Sequence, residues 1–272
     1  MSEVRLQTIH QFGVETDLLR LGAGPPLLFL HSNAAPDSHD SAYLSLLAER
    51  FEVIAPFHPG FGRHARPAHF RGVDDLAYFY LDMLEALNLT GVTLVGASLG
   101  GWVAGEMAVR STARLERLVL VGAFGIKAGN REDRDFADFF AVSPEQRAQM
   151  EFTDPRFSVL SYAGKTDAQL TVLARGRESE AYYGWQPFMH NPQLIHWLHR
   201  IDIPTLLVRG AEDRIIDPVN PAAYLARIPR SRMSIVEGAG HYPHLDRPQA
   251  FAAAVQAFAG SIQKAAAVRR GA

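Results

Sequence analysis

The sequence of 272 residues contains no cysteine, which excludes disulfide bonds, thiolate metal ligands and cysteine nucleophiles. It also lacks an excess of basic charge, because 27 lysine and arginine residues stand against 29 aspartate and glutamate residues, for a net charge of −2. Without a basic field to hold phosphate groups, nucleic acid is not an expected partner. Hydrophobic residues make up 47% and charged residues 21%, which is typical of a globular protein and argues against disorder.

Long apolar runs are absent as well. The longest, over 118–126 and 250–260, fall well short of the ~18 residues that a membrane-spanning helix needs. The first ten residues are polar and alternating, without the basic patch and apolar run of a secretory signal. These features predict a cytoplasmic protein with no membrane partner, although the lack of cysteine would suit an exported protein equally well. They leave open whether the protein is a monomer or a homodimer.

Short β-rich runs alternate with helical patterns along most of the chain. Two runs near the N-terminus alternate apolar and polar residues, as half-buried antiparallel strands do. Six further runs are mainly apolar, which is typical of strands buried on both faces. The first two runs cover 4–9 and 16–21, and the six apolar runs cover 27–30, 51–55, 92–95, 118–121, 205–208 and 233–236. The alternation predicts an α/β fold with a mainly parallel, doubly wound, eight-stranded sheet flanked by helices.

The alternation stops between residues 125 and 200. This stretch opens with the charged run 131–135, continues with helical patterns and ends rich in aromatic residues. It is too long for an ordinary connection between two strands. We therefore expect residues 1–124 and 201–272 to form the core, and residues 125–200 to form a helical cap inserted after the sixth strand.

The strongest local signal is the pattern G-x-S-x-G within residues 92–101, between an apolar strand and a helical run. A serine on so tight a turn needs strained backbone angles, and Gly96 and Gly100 remove side chains that would clash there. The turn also places Ser98 at a helix N-terminus, where N–H groups favour a developing negative charge. By itself the pattern is a modest signal, and an ordinary helix cap is the alternative interpretation of Ser98.

A serine becomes a nucleophile when a base takes its proton and an acid orients that base. Both residue types follow predicted strands late in the chain, Asp213 after the run 205–208 and His241 after the run 233–236. Because the carboxyl ends of parallel strands meet at one edge of a sheet, we expect these side chains to project beside Ser98.

Neighbouring residues offer alternatives at two of these positions. Glu212 or Asp217 could take the place of Asp213, and His244 competes with His241, although only His241 follows a glycine turn. These alternatives stay open from the sequence.

A metal or cofactor is not expected. His196 and His199 are three residues apart, but no third ligand follows at a suitable spacing. No G-x-G-x-x-G pattern follows the first parallel strand, which disfavours nucleotide binding.

The order of serine, acid and histidine at strand ends resembles the α/β-hydrolase family, in particular its serine hydrolases with a helical cap. The likeness extends from residue 27 to about residue 259. It implies that Ser98 is the nucleophile, that Asp213 is the acid of a G-x-x-D turn and that His241 is the histidine of a G-H-x-P turn.

The resemblance also implies an oxyanion hole formed by the backbone N–H groups of Leu99 and Asn33. The chain departs from the family pattern beside Asn33, because Ser32 follows His31 where many members have glycine. It departs again at Phe57, where the family turn D-x-P-G-x-G usually begins with aspartate. We interpret that second turn as structural.

The activity that the resemblance implies is hydrolysis of a small or medium carboxylic ester through an acyl-enzyme intermediate, without a cofactor. An aromatic-rich cap favours a largely apolar pocket for a small acyl substrate, and Trp185 and Phe188 are the candidates to line it. A lactonase and a carbon–carbon bond hydrolase are alternatives on the same three residues. Carbon–carbon hydrolases often carry tryptophan after the histidine, where this chain has Tyr242. A non-catalytic ligand receptor is the alternative of another class.

Overall fold

The computed structural model describes residues 5–32, 36, 41–154, 156–157 and 164–270. It contains one eight-stranded sheet with the order β1-β2-β4-β3-β5-β6-β7-β8. The strands are β1 (Arg5–Gln11), β2 (Val14–Leu21), β3 (Pro26–Leu30), β4 (Glu52–Pro56), β5 (Val92–Ala97), β6 (Leu115–Val121), β7 (Thr205–Gly210) and β8 (Ser231–Val236). β2 pairs antiparallel with β1 and β4, and the remaining pairs are parallel. The predicted eight-stranded, mainly parallel sheet is confirmed.

Helices occupy the connections that follow β3, and two more follow β8. They are α1 (Ala42–Leu47), α2 (Val73–Ala86), α3 (Leu99–Arg110), α4 (Pro144–Glu151), α5 (Asp167–Gly184), α6 (Leu194–Trp197), α7 (Val219–Arg227), α8 (Pro243–Asp246) and α9 (Pro248–Arg270), with a 3₁₀ turn over Leu198–Arg200. In the part of the chain that the structure describes, no helix combines the length and the apolarity needed to cross a bilayer.

Alternate residues of the central strands face opposite layers of helices. On β3, Leu28 and Leu30 pack in a cluster with α2 and α3, whereas Leu27 and Phe29 pack in a second cluster with α1 and α9. All four side chains are fully buried. Because both faces are covered, such a strand has to be apolar at every position, which is the pattern in the sequence.

The last strand differs from this pattern. β8 forms an edge of the sheet, and Ile235 within it is 55% exposed. An edge strand has a neighbour on one side only, so the helices packed on the sheet cover it less. The run 233–236 is therefore a strand, as predicted, but it is not buried on both faces.

The long connection between β6 and β7, residues 122–204, is helical. Its described residues contain α4, α5 and α6 and no strand. α4 and α5 each begin with a capping box, formed by Ser143 with Gln146 and by Thr166 with Gln169. We refer to residues 122–204 as the insertion; its role as a cap stays a prediction at this point.

Two buried histidines join the end of β3 to the loop after β4. The backbone N–H of His58 donates to the ring Nε2 of His31 at 2.8 Å. The ring Nε2 of His58 lies 2.9 Å from the backbone carbonyl oxygen of His31. The Tyr80 hydroxyl of α2 lies 2.7 Å from Nδ1 of His58. These partners fit a neutral His58 with its proton on Nε2. Burial lowers the pKa of His58 to about 4.

We expect His58 to make the protein less stable in acid. The imidazole stays neutral in the fold but takes a proton in the unfolded chain, so the free energy of unfolding decreases from about pH 6.5 towards about pH 4. The full shift corresponds to about 3 kcal/mol. Urea unfolding at several pH values measures this loss. His58→Gln should flatten the pH dependence and the exposed His199→Gln should not; an unchanged profile in His58→Gln would contradict the prediction.

Candidate active site

Ser98 lies on a sharp turn between β5 and α3. Its φ of 56° and ψ of −114° place it in a region that residues other than glycine rarely adopt. The Ser98 N–H donates to the Val121 carbonyl of β6 at 2.8 Å, and the Ser98 carbonyl accepts from the Trp102 N–H at 3.1 Å. These bonds hold the turn at the carboxyl edge of the sheet, between the ends of β3 and β6.

Gly96 and Gly100 are required at this turn because the backbone around them leaves no room for a side chain. A Cβ at Gly100 would overlap the carbonyl oxygens of Leu30 and His31 at the end of β3. A Cβ at Gly96 would lie 2.8 Å from the Ala104 Cβ. The structure thus contains the close approaches that the G-x-S-x-G pattern predicts.

The structure brings the three predicted catalytic side chains together. Oγ of Ser98 lies 2.9 Å from Nε2 of His241, although 143 positions separate them in the chain. On the other side of the ring, Nδ1 lies 3.1 Å from Oδ2 of Asp213. With its proton on Nδ1, the imidazole presents Nε2 as an acceptor to the hydroxyl. Within the described first turn of α3, the Ser98 side chain makes no capping hydrogen bond, so the simple helix-cap interpretation does not describe it.

Asp213 is held in place by backbone N–H groups. Its Oδ1 accepts from Ile215 at 2.9 Å and from Ile216 at 3.1 Å. Burial raises the pKa of this carboxyl, but the charge interaction and hydrogen bond with His241 and the two N–H bonds outweigh burial and lower the pKa below its ordinary value. Asp213 is therefore ionised at neutral pH, and an ionised carboxylate stabilises a protonated imidazole.

Two further glycines let the loops of the acid and the histidine approach each other. A Cβ at Gly210, the last residue of β7, would overlap the carbonyl oxygens of Ala239 and Gly240. A Cβ at Gly122, where φ is +48°, would lie 3.2 Å from Nδ1 of His241. The loops after β6, β7 and β8 therefore meet around the imidazole.

The alternative residues at these positions have other surroundings. Glu212 is exposed, and Oδ1 of Asp217 accepts a backbone N–H at 2.9 Å at the start of α7. His244 lies in α8, with its ring centre 4.9 Å from that of Tyr43 and 5.7 Å from that of Phe29. The contacts with Ser98 and with the imidazole favour Asp213 and His241.

Leu99, one of the two predicted oxyanion-hole residues, follows Ser98 directly and is the first residue of α3. N–H groups in the first turn of a helix have no acceptor within the helix, so they favour a bound anion. Asn33, the second predicted residue, lies outside the described residues. Its neighbour Ser32 is buried, and the Ser32 carbonyl accepts from Nδ1 of His31 at 2.6 Å.

Trp185 and Phe188 lie at the C-terminal end of α5 and just beyond it. Trp185 is 60% exposed, and its ring contacts those of Phe140 and Phe188. Phe188 is half-buried and lines a cavity of about 330 Å³ together with Lys127 and His190. Their part in a substrate pocket stays a prediction.

The insertion contributes residues that the sequence analysis misses. The Glu151 carbonyl accepts the N–H of His241 at 2.9 Å. Oε1 of Glu151 accepts from Nε of Arg147 at 2.8 Å, and Nη2 of Arg147 donates to Oε2 of Glu180 at 2.8 Å. All three side chains are buried, and we call them the buried ionic cluster. The i, i+4 spacing of Arg147 and Glu151 is its one signal in the sequence, and the same spacing is common on solvated helix faces.

The buried ionic cluster carries one cation and two carboxylates. Burial would lower the pKa of Arg147, but Glu180 and Glu151 outweigh it and raise that pKa. Burial raises the pKa of Glu180, and Arg147 offsets this only in part. The cation is therefore paired with both carboxylates of the cluster.

Among the described residues, no three histidine or carboxylate side chains gather as metal ligands would. His196 and His199 are both exposed, at the end of α6 and in the 3₁₀ turn after it.

Comparisons with known proteins agree with this architecture. A 2-hydroxy-6-oxo-6-(2'-aminophenyl)hexa-2,4-dienoic acid hydrolase from Metapseudomonas resinovorans is 25% identical over 263 residues, which cover 92% of this chain and 89% of that protein. A poly(3-hydroxyalkanoate) depolymerase from Ectopseudomonas oleovorans is 29% identical over 240 residues, which cover 86% of this chain and 83% of that protein.

A solved structure and a family model complete the comparison. The esterase RhEst1 from Rhodococcus sp. ECU1013 matches with a TM-score of 0.71 and 23% identity, over 95% of this chain and 98% of that one. At this identity the likeness shows the fold alone. A model described as "Alpha/beta hydrolase family" matches residues 27–254, which is most of the sheet with its helices and the turn at Ser98. This chain belongs to the alpha/beta hydrolase family.

Proposed function

We propose that this protein is a serine hydrolase that cleaves carboxylic esters of small or medium size through an acyl-enzyme intermediate. The observation that carries the proposal is the hydrogen-bonded chain from Ser98 through His241 to Asp213, with distances of 2.9 Å and 3.1 Å. A hydroxyl held in this way has a base to take its proton and a carboxylate to stabilise the charged base.

In acylation, Oγ of Ser98 attacks the carbonyl carbon of the ester while its proton passes to Nε2 of His241. The imidazolium forms beside Asp213, which stabilises it without taking the proton. The carbonyl oxygen becomes an oxyanion, which the N–H of Leu99 and, by resemblance, that of Asn33 stabilise. Loss of one such donor typically costs ~10²–10³ in turnover.

The tetrahedral intermediate then collapses. The bond between the acyl carbon and the alcohol oxygen breaks, and His241 gives its proton to that oxygen. Water enters the vacated place, His241 takes one of its protons, and the water oxygen attacks the acyl carbon. Collapse of the second intermediate releases the carboxylic acid and returns the proton to Ser98, so the chain's own groups complete the cycle.

The substrate size in this proposal rests on the insertion acting as a cap. Two side chains of α5 support that placement, since Ser179 and Tyr183 donate hydrogen bonds of 2.6 Å and 2.9 Å to carbonyl groups in the loop after β4. A cap that contains the aromatic side chains Trp185 and Phe188 favours a small, largely apolar ester over a polymer.

Hydrolysis of a carbon–carbon bond on the same three residues is the second candidate, because the relative from M. resinovorans is named for a dienoic acid. A carboxylate substrate calls for a cation in the site. Arg147, the buried cation of the insertion, already pairs at 2.8 Å with both Glu151 and Glu180. The pairing favours a neutral ester over a carboxylate substrate.

A panel of substrates tests the proposal. p-Nitrophenyl esters from acetate to octanoate, a lactone and a 2-hydroxy-6-oxo-dienoic acid are offered to the protein and to Ser98→Ala. Ser111→Ala, at the other end of α3, is the matched control. We expect the protein to hydrolyse the shorter esters. Turnover of these esters should fall by more than about 10³-fold in Ser98→Ala and stay unchanged in Ser111→Ala.

Two outcomes of the panel would overturn the proposal. Cleavage of the dienoic acid without ester turnover would establish the second candidate. Ester turnover that persists in Ser98→Ala would show that Ser98 is not the nucleophile. Circular dichroism checks that each variant folds.

Asp213→Asn should reduce turnover by about 10³–10⁴-fold while the fold stays intact, because an amide neither holds the required tautomer of His241 nor stabilises its charged form. The control is Glu212→Gln, an exposed neighbour with the same chemical change. Steady-state kinetics with p-nitrophenyl acetate measure both variants. Near-normal turnover in Asp213→Asn would move the role of the acid to Glu212 or Asp217.

A further inference from the structure

Asp246 is a buried carboxylate near His241 that the proposed mechanism does not use. It is 2% exposed and is the last residue of α8, the short helix that begins directly after Tyr242. The N–H of Asp246 donates to the Tyr242 carbonyl at 3.0 Å. This turn brings the Asp246 side chain back to residues 238–241, which we call the histidine loop.

Three backbone N–H groups from two segments donate to this carboxylate. The Gly240 N–H, next to His241, donates to Oδ2 at 2.7 Å. From the insertion, the Thr153 N–H donates to Oδ2 at 3.0 Å and the Asp154 N–H donates to Oδ1 at 3.0 Å. A carboxylate suits this place because its oxygens only accept hydrogen bonds, whereas a buried N–H without an acceptor is costly. Asp246 therefore joins the histidine loop to the insertion.

Two further hydrogen bonds connect the same two segments. The Glu151 carbonyl accepts the His241 N–H at 2.9 Å, and the Thr153 hydroxyl donates to the Gly238 carbonyl at 2.7 Å. A Cβ at Gly240 would lie 2.6 Å from the Glu151 carbonyl oxygen, so the two segments are too close for a side chain there. Three of the four residues of the histidine loop are therefore held against the insertion.

We propose that Asp246 is a positioning residue for His241, which fixes the histidine loop so that the imidazole stays within hydrogen-bond distance of its two partners. The role rests on the proposed function, in which Nε2 of His241 takes the proton of Ser98 across 2.9 Å. Asp246 acts through the backbone of the loop and takes no proton in the reaction. Position matters here because a misplacement of ~1 Å can cost about 10²-fold in rate.

The variant Asp246→Asn tests this role. An amide keeps one acceptor oxygen but turns an NH₂ group towards a backbone N–H at the other position, so either Gly240 or Asp154 loses its acceptor. With p-nitrophenyl butanoate we expect kcat to fall about tenfold or more. KM should stay within about twofold, because His241 is the base in both acylation and deacylation and the two steps slow alike.

Proton NMR reports on the imidazole without a substrate. The proton between Nδ1 of His241 and Asp213 resonates far downfield of most other protons, and its loss in Asp213→Asn identifies the signal. In Asp246→Asn we expect the signal to shift or broaden, because a displaced imidazole changes the 3.1 Å contact. A residue that only stabilises the fold would leave the signal as it is.

Asp17→Asn is the matched control. Asp17 is also a buried carboxylate, but it lies on β2, far along the sheet from β8. It accepts from Nε of Arg63 at 2.6 Å and from the Thr8 hydroxyl at 2.7 Å, so this variant also weakens buried hydrogen bonds. We expect Asp17→Asn to keep kcat, KM and the NMR signal.

Thr153→Val is a second test of the same connection. It removes the hydroxyl that donates to the Gly238 carbonyl and keeps the shape of the side chain. We expect kcat and the NMR signal to change in the same direction as in Asp246→Asn, but by less. Thermal melting verifies that each variant folds.

Four results would contradict the role of Asp246. They are an unchanged kcat in folded Asp246→Asn, a fall in kcat without a change in the NMR signal, equal losses in Asp17→Asn, and a rise in KM at constant kcat. If Asp246→Asn does not fold, an unchanged kcat and signal in Thr153→Val would contradict it. Failure of the native protein to hydrolyse the ester would instead overturn the proposed function, while the NMR signal would still decide whether Asp246 holds the imidazole.

Discussion

The positive φ of Ser98 is the constraint on which the rest of the site depends. Such a conformation costs about 1–3 kcal/mol and persists where the surroundings enforce it. Here backbone hydrogen bonds to β6 and α3 enforce it, and Gly96 and Gly100 leave space for the approach of β3. Because the backbone turns in this way, the hydroxyl is directed at His241 rather than at the N–H groups of its own helix.

The insertion is joined to this arrangement through the buried ionic cluster. Buried charges are costly unless they are paired, and Arg147 pairs with both of the carboxylates that surround it. One of them, Glu151, also holds the backbone of His241 with its carbonyl and the hydroxyl of Tyr242 with its side chain. The position of the imidazole therefore depends on a helix of the insertion as well as on the sheet, and the paired cation is consistent with a neutral substrate.

Much of the core could be predicted from local patterns. Each mainly apolar run indicates a strand covered on both faces, and this held for the central strands such as β3 and β5. It did not hold for Ile235 in β8, because a strand at the edge of the sheet is covered less whatever its composition. The pattern G-x-S-x-G indicated the turn at Ser98, since it reports a backbone shape that only glycine allows at Gly96 and Gly100.

The sequence by itself therefore determined the strands, their helical connections and the strained turn, all of which depend on neighbours along the chain. Only the tertiary structure decided which carboxylate faces His241. Asp213 and Glu212 have the same chemistry at adjacent positions, and the fold buries one and exposes the other. The tertiary structure also decided that Glu151 lies at the site. In the sequence its only signal is the i, i+4 spacing from Arg147, and the same spacing is common on solvated helix faces. The physical reason is that contacts between distant residues depend on how whole elements pack, which local periodicity does not specify.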